Sequence, residues 1–215
     1  MTSIHSSTCR FCSVADGASQ PSVADRPWMS NSAYMALVSV GALVPGWSLV
    51  IPRAHRLNMA ADLTLAEGHE FIASVVARVE AQFGPAAVFE HGCASSESQT
   101  GCGVGHAHLH VVPLAFELVS AARAFDPDRR WDYCKLQDVA AMTNGREYLF
   151  AANRYEGAAT EGSFTILEEG ISQFFRRVIA RELGRDDEYN YREFPQMDTV
   201  VQSHALLTMP SEIAA

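Results

Sequence analysis

One short stretch, GHAHLHVVP at residues 105–113, decides the fold that we predict for this chain. Three histidines stand at alternate positions in it: His106, His108 and His110. Because successive side chains of a β-strand point to opposite faces, this alternation predicts a strand that carries all three imidazoles on one face. The residues between them would enter a core on the other face: Ala107, Leu109 and Val111.

The geometry of a strand limits how the three imidazoles can act together. At about 3.3 Å per residue, rings two residues apart are separated by roughly 7 Å, and the outer two by about 13 Å. One metal ion could therefore be bound by two of them and hardly by all three. We favour a division of roles, in which one imidazole carries chemistry and its neighbours position charge or hold a metal. Three imidazoles that merely form hydrogen bonds are disfavoured, because each buried ring would need its own partner.

Composition and charge narrow the classes of function. The chain has 215 residues, 48% hydrophobic and 19% charged, as in ordinary globular proteins. A formal net charge of -9 argues against a nucleic-acid-binding surface, although a few donors can still hold a phosphate locally. We expect no membrane-spanning segment and no secretory signal. Five cysteines, an odd number, favour a reducing compartment over a disulfide framework, so we expect a cytoplasmic protein.

Hydrophobic patterns predict further elements on both sides of the triad. Alternating apolar residues predict a hairpin with strands at 35–40 and 47–52, and helical spacing predicts a long amphipathic helix that ends at Gly84. Two more strands are predicted at 147–152 and 163–167.

An amphipathic helix at 171–183 follows these strands. Three arginines share its basic face: Arg176, Arg177 and Arg181. They could meet a phosphate, but we favour a solvated helix face, because runs of charge on helices usually face water.

The triad stretch resembles the motif of the histidine triad (HIT) superfamily, in which three histidines alternate with hydrophobic residues and two more hydrophobic residues follow. Other features lie upstream in the order typical of that family: the Cys9-x-x-Cys12 pair, the segment LVIPRAH that ends at His55, and the apolar helix before the triad. The resemblance covers about half of the chain, from the N-terminus to Pro113.

The resemblance implies an α+β fold, with an antiparallel sheet of about five strands, helices packed on one face and the triad strand near the centre. We interpret residues 1–115 as the HIT-like catalytic core and residues 116–215 as an accessory α/β layer packed on it. Family members usually pair as homodimers through the sheet and helix. The C-terminal layer could cover that same surface, so a homodimer is possible and the oligomeric state stays open.

The Cys9-x-x-Cys12 pair has the spacing of half a zinc site, a spacing that redox motifs share. The resemblance supplies the other half from His55 and His106, which gives a closed Cys₂His₂ set for a structural zinc ion. Free buried thiols are the alternative. If His106 holds zinc it cannot also donate a proton.

The resemblance also implies a pocket for a nucleotide. Three residues at the start of the hairpin would lie near the base and ribose: Met29, Asn31 and Ser32. The end of the glycine-rich loop before the triad would offer backbone amides to an anion: Gly101, Cys102 and Gly103. An ordinary turn is an equally good interpretation of each segment taken by itself.

Two segments, FEHG at 89–92 and the Gly101-Cys102 pair, look closer to another branch of the superfamily, galactose-1-phosphate uridylyltransferase. We therefore include Glu90 among the candidate substrate-binding residues. That branch has glutamine in place of the third histidine, whereas this chain keeps His110.

The resemblance implies nucleotidyl transfer by covalent catalysis. His108 would attack the α-phosphorus of a nucleotide, and His110 would donate to the phosphoryl or bridging oxygen. The product would leave by hydrolysis or by transfer, and uridylyl transfer to a phosphorylated acceptor is an alternative. Two others are a metal-dependent hydrolase that uses His106 and His108 as ligands, and a nucleotide-binding regulator without turnover.

Overall fold

The computed structural model of the chain describes residues 9–17, 22–98 and 104–210. Its strands form one eight-stranded antiparallel sheet in the order β1-β2-β3-β5-β4-β7-β8-β6. The strands are β1 (Met29–Ser30), β2 (Tyr34–Val38), β3 (Ser48–Pro52), β4 (Ala86–Gly92), β5 (Leu109–Pro113), β6 (Asp132–Lys135), β7 (Tyr148–Ala152) and β8 (Glu161–Ile166).

The helices are α1 (Arg10–Ala15), α2 (Ala66–Phe83), α3 (Leu118–Phe125), α4 (Val139–Thr143), α5 (Phe174–Glu182) and α6 (Met197–Thr208). Short 3₁₀ turns lie at Val23–Asp25, Asp62–Thr64, Leu136–Asp138 and Asp186–Tyr189. None of the helices in the described ranges combines the length and apolar character that crossing a membrane requires.

The predicted α+β class and the central triad strand are confirmed, while the number of strands is corrected from about five to eight. The reason is the pairing of β4 with β7, which extends the sheet into the C-terminal residues. We call the described residues up to 115 the N-terminal region and those from 116 the C-terminal region. Because β4 already pairs with β5 and β7, a second chain cannot add a strand to it.

Helices cover both faces of the sheet, not one as predicted. On one face, α2 packs on side chains that include Val88 and Val111. On the other face, α3 and α5 pack on the alternate residues Phe89 and Val112. Every residue of the central strand β5 is buried, and strands with two apolar faces need a cover on each. The sequence of such a strand is a nearly continuous run of hydrophobic residues, so it does not predict that a second layer of helices covers the other face.

Candidate active site

The triad residues follow the predicted alternation, although the ladder of β5 begins only at Leu109. The prediction that Ala107, Leu109 and Val111 enter a core is confirmed, since all three belong to the cluster under α2. The rings of His108 and His110 lie on the opposite side with their centroids 4.8 Å apart. They are therefore closer than the roughly 7 Å of an ideal strand.

His106 lies against the two thiols of the N-terminal segment. Its Nδ1 is 3.3 Å from Sγ of Cys9 and 3.6 Å from Sγ of Cys12, and Nδ1 of His55 is 3.2 Å from Sγ of Cys12. All four donor atoms lie within 4.8 Å of one another. A tetrahedron with ordinary zinc–sulfur and zinc–nitrogen bonds has edges of roughly 3.3–3.8 Å. The donor set therefore fits a zinc ion.

The second nitrogen of His106 supports this assignment. Nε2 lies 2.8 Å from the carbonyl oxygen of Pro52, to which it donates as N–H, so that Nδ1 keeps a lone pair for a metal. The short helix α1 presents Cys9 and Cys12 one turn apart, because Cys9 is its N-cap. Phe11 between them packs edge-on against His106 and His108, with centroids 5.6 and 5.8 Å away.

The protonation of His108 is set by the backbone. Nδ1 lies 2.9 Å from the carbonyl oxygen of His106 and must donate to it, which leaves the lone pair on Nε2. Burial lowers the pKa of His108, and the positive charge of Arg176 lowers it further. The ring is therefore held as a neutral imidazole whose Nε2 can act as a nucleophile.

His110 has the opposite arrangement. The indole N–H of Trp47 donates to Nδ1 of His110 at 2.9 Å, and because an indole nitrogen can only donate, the ring proton must be on Nε2. That Nε2 is buried and has no hydrogen-bond partner among the described residues. Burial lowers the pKa of His110 well below its usual value, with the nearby His108, His91 and Arg176 acting in the same direction. His110 is thus a neutral donor.

Both rings line a cavity of about 40 Å³. Its walls are formed by Arg10, Phe11, Ser39, Val40, Leu49, Val104, His108, His110, Arg176 and Tyr191. The expectation of a solvated arginine face is wrong for Arg176, which is only 2% exposed. It is confirmed for Arg177 and Arg181, which are exposed. The helical period places Arg176 on the buried side of α5, but an arginine is normally expected to face solvent, so the sequence alone did not predict its burial.

The four predicted substrate-binding residues that the structure describes do not line this cavity. Asn31 and Ser32 are exposed near the sheet edge, and Met29 packs against the core on the α2 face. Glu90 is fully buried, where its carboxylate accepts from the N–H of Met59 at 2.6 Å and from the hydroxyl of Tyr148 at 2.5 Å. The remaining candidates lie outside the described residues: Gly101, Cys102 and Gly103.

Sequence reasoning missed Trp47, Arg176 and Tyr191 as neighbours of the triad. The strand containing Trp47 was predicted, but its contact with His110 depends on the pairing of β3 with β5. A buried indole needs an acceptor, which was a signal that something polar lay near Trp47. Nothing in the pattern identifies which acceptor it would be.

No protein-family model and no curated protein sequence matches the chain. Solved structures match about half of it. A HIT family protein from Bacillus anthracis is 26% identical over 50% of this chain and 73% of its own, with a TM-score of 0.38. A Hit-like protein involved in cell-cycle regulation from Bartonella henselae is 23% identical over 51% and 78%, with a TM-score of 0.41.

A third match is a zinc-bound histidine triad family protein from Mycobacterium smegmatis, 24% identical over 49% of this chain and 74% of its own, with a TM-score of 0.36. The chain resembles histidine triad proteins.

Proposed function

We propose that this protein is a nucleotidyl hydrolase or transferase that works through a nucleotidyl-histidine intermediate on His108. One observation carries the proposal. The hydrogen bond from Nδ1 of His108 to the carbonyl oxygen of His106 leaves Nε2 as the nucleophilic nitrogen of a ring that lines the cavity. The N–H of His110, the donor that the reaction needs, belongs to the same cavity.

In the proposed first step, the lone pair of Nε2 of His108 attacks the α-phosphorus and forms a nitrogen–phosphorus bond. The bond from phosphorus to the leaving oxygen breaks, and that oxygen departs as an anion with the electron pair, stabilised by a hydrogen bond from the Nε2–H of His110. The imidazole of His108 then carries a positive charge, which its Nδ1–H shares with the carbonyl of His106. Splitting one displacement into two lowers the barrier of each.

In the second step, a water molecule or a phosphorylated acceptor attacks the same phosphorus. The nitrogen–phosphorus bond breaks, the nucleotide leaves, and the lone pair returns to His108, while the attacking oxygen releases its proton to the solvent and the Nε2–H of His110 stays in place as a hydrogen-bond donor. Uridylyl transfer differs from hydrolysis only in this acceptor. The metal-dependent alternative is less well supported, because the Nδ1 atoms of His106 and His108 have different partners, a thiol for one and a carbonyl for the other.

We further propose that a zinc ion is held by Cys9, Cys12, His55 and His106, whose donor atoms lie within 4.8 Å of one another and include three sulfur–nitrogen separations of 3.2, 3.3 and 3.6 Å, close to the edges of a tetrahedral site. Bound there, zinc would be structural, tying α1 to the segment after β3 and to the start of the triad. His106 then takes no part in proton transfer.

The decisive experiment uses His108→Ala and a panel of adenylyl, guanylyl and uridylyl donors, with and without sugar phosphates. We expect turnover to fall by about a thousandfold or more, because the nucleophile is lost, with nucleotide binding largely kept. Mass spectrometry of the base-quenched wild-type protein should reveal a nucleotidyl adduct that the variant lacks, because the phosphorus–nitrogen bond survives in base and hydrolyses in acid. His69→Ala is the matched control, since that half-buried imidazole bonds to Tyr155 away from the cavity.

Retained turnover in His108→Ala would refute the proposed nucleophile. Tight nucleotide binding by the wild-type protein without adduct or turnover would favour the regulator instead. Catalysis that disappears on chelation while the fold persists would favour the metal-dependent hydrolase.

A further inference from the structure

A buried arginine from the C-terminal region lies at the cavity of the triad. Arg176 is on α5, and its Nε donates to the carbonyl oxygen of Tyr189 at 2.9 Å. Its Nη2 donates a hydrogen bond to the carbonyl oxygen of Gly41. The guanidinium also lies over the ring of Trp47, 4.7 Å from its centroid, and 5.7 Å from that of Tyr191. These contacts hold the charge in one place.

The backbone at Gly41 is shaped to admit this side chain. Gly41 has φ of +71°, a conformation that favours glycine, and a Cβ there would lie 2.6 Å from Nη2 of Arg176. A residue with any side chain at position 41 would therefore collide with Tyr191, whose Cβ would lie 2.5 Å away, and with the guanidinium. The close approach indicates that the position of Arg176 is built into the fold.

The charge of Arg176 reaches the catalytic rings. Burial is the main cause that lowers the pKa values of His91 and His110, the neighbouring imidazoles lower them further, and Coulomb repulsion from Arg176 acts in the same direction on both. A buried positive charge with no anion beside it costs free energy of folding. The same field would attract an anion placed between them.

We propose that Arg176 binds the phosphoryl oxygens of the nucleotide that His108 attacks, so that the C-terminal region completes the active site. The inference rests on the proposed function. Arg176 and His110 line one cavity, and a guanidinium and an imidazole N–H are both donors, which is the chemistry that a phosphoryl group requires. As charge develops on the phosphoryl oxygens, Arg176 stabilises it from a fixed position.

The test compares the binding of AMP with that of adenosine by calorimetry, because only AMP carries the phosphoryl group. Arg176→Gln keeps a polar side chain but removes the charge. We expect its dissociation constant for AMP to rise about tenfold to a hundredfold, the usual range for a hydrogen bond to a charged group, with that for adenosine unchanged. Arg177→Gln is the matched control, since Arg177 is the exposed neighbour that stacks on Tyr189, and it should change neither.

Arg176→Lys covers the case in which the glutamine variant does not fold. It keeps the charge but loses the planar fork, so we expect weaker AMP binding with adenosine binding unchanged. Equal weakening for AMP and adenosine in whichever variant folds would show a purely structural role and overturn the inference.

The inference and the proposed function can fail separately. A wild-type protein that forms the nucleotidyl adduct, with AMP affinity indifferent to both substitutions, would overturn only the inference. A wild-type protein that forms no adduct and does not bind AMP would overturn both.

Discussion

The N-terminal and C-terminal regions contribute different things to one cavity. The N-terminal region supplies both imidazoles of the proposed catalytic pair and the whole candidate zinc set. The C-terminal region supplies two walls of the cavity, Arg176 and Tyr191. The two regions share one sheet, joined where β4 pairs with β7.

This difference teaches that a reactive centre and its surroundings leave different traces in a sequence. Histidines at alternate positions are visible because the period of a strand orders them. The surrounding residues come from distant segments, and only packing brings them together. Arg176 and Gly41, for example, are far apart in the chain and touch in the fold. The three predictions below test how far each region depends on the other.

The largest effect is expected at the zinc set of the N-terminal region. Cys12→Ser replaces a buried thiolate ligand with a poor one, so zinc content measured by mass spectrometry should fall from one ion per chain to well below one. The free energy of unfolding should fall by about 3 kcal/mol or more, because metal binding is coupled to folding.

Cys134→Ser is the matched control, because that buried thiol of the C-terminal region bonds to the carbonyl of Lys135. It should leave the zinc content unchanged. A wild-type chain that takes up no zinc when purified with zinc supplied would contradict the assignment.

The next effect concerns the seam between the regions, where Glu90 of β4 meets Tyr148 of β7. Burial raises the pKa of Glu90 from 4.5 to about 7; the hydrogen bonds from Tyr148 and Met59 oppose this, and the nearby charge of Asp62 adds to it. The folded state therefore binds more protons than the unfolded state between these two pH values. The contribution of the Glu90 carboxyl group to the free energy of unfolding is therefore present at low pH, and it is lost as pH rises through about 7.

Glu90→Gln should remove that loss. The difference in unfolding free energy between the variant and the wild-type protein should grow in favour of the variant by about 3 kcal/mol from pH 4.5 to pH 8. Urea unfolding at a series of pH values measures it, with the exposed Glu70→Gln as control. Parallel stability curves for wild type and Glu90→Gln would show that the seam carboxylate is not protonated in the fold.

The smallest effect compares one tryptophan from each region. Trp47→Phe keeps an aromatic ring but removes the N–H that fixes the tautomer of His110. We expect kcat to fall by up to about tenfold, the value of one hydrogen bond, with KM little changed. Nitrogen NMR shifts of His110 should move from one tautomer toward a mixture, which a purely structural role would not cause.

Trp131→Phe is the matched control, because its indole nitrogen is buried with no hydrogen-bond partner among the described residues. It should lower thermal stability comparably without changing kcat or the NMR signature. If His110 keeps the same tautomer in Trp47→Phe, the proposed positioning role of Trp47 is wrong.

Much of the N-terminal region could be predicted from local pattern. The hairpin, the long helix and the buried partners of the triad histidines followed from periods of two and of 3.6 residues. The second helical layer could not be predicted, because β4 and β5 are buried on both faces and the sequence of such strands does not indicate what covers them. The candidate residues around Met29 and Glu90 were selected by resemblance, and the described structure brings neither to the cavity.

By itself, the sequence determined the chemistry available to this protein: three imidazoles on one side of a strand and two thiols at the spacing of a metal site. Only the tertiary structure decided which nitrogen of each ring keeps a lone pair. That choice depends on the carbonyl of His106 for one ring and the indole of Trp47 for the other. It also decided the presence of Arg176 beside them. The physical reason is that strand periodicity is local, whereas the indole of Trp47 and the charge of Arg176 come from distant segments that pack against the triad; the carbonyl of His106 is a local partner, but the period of the side chains does not indicate that His108 bonds to it.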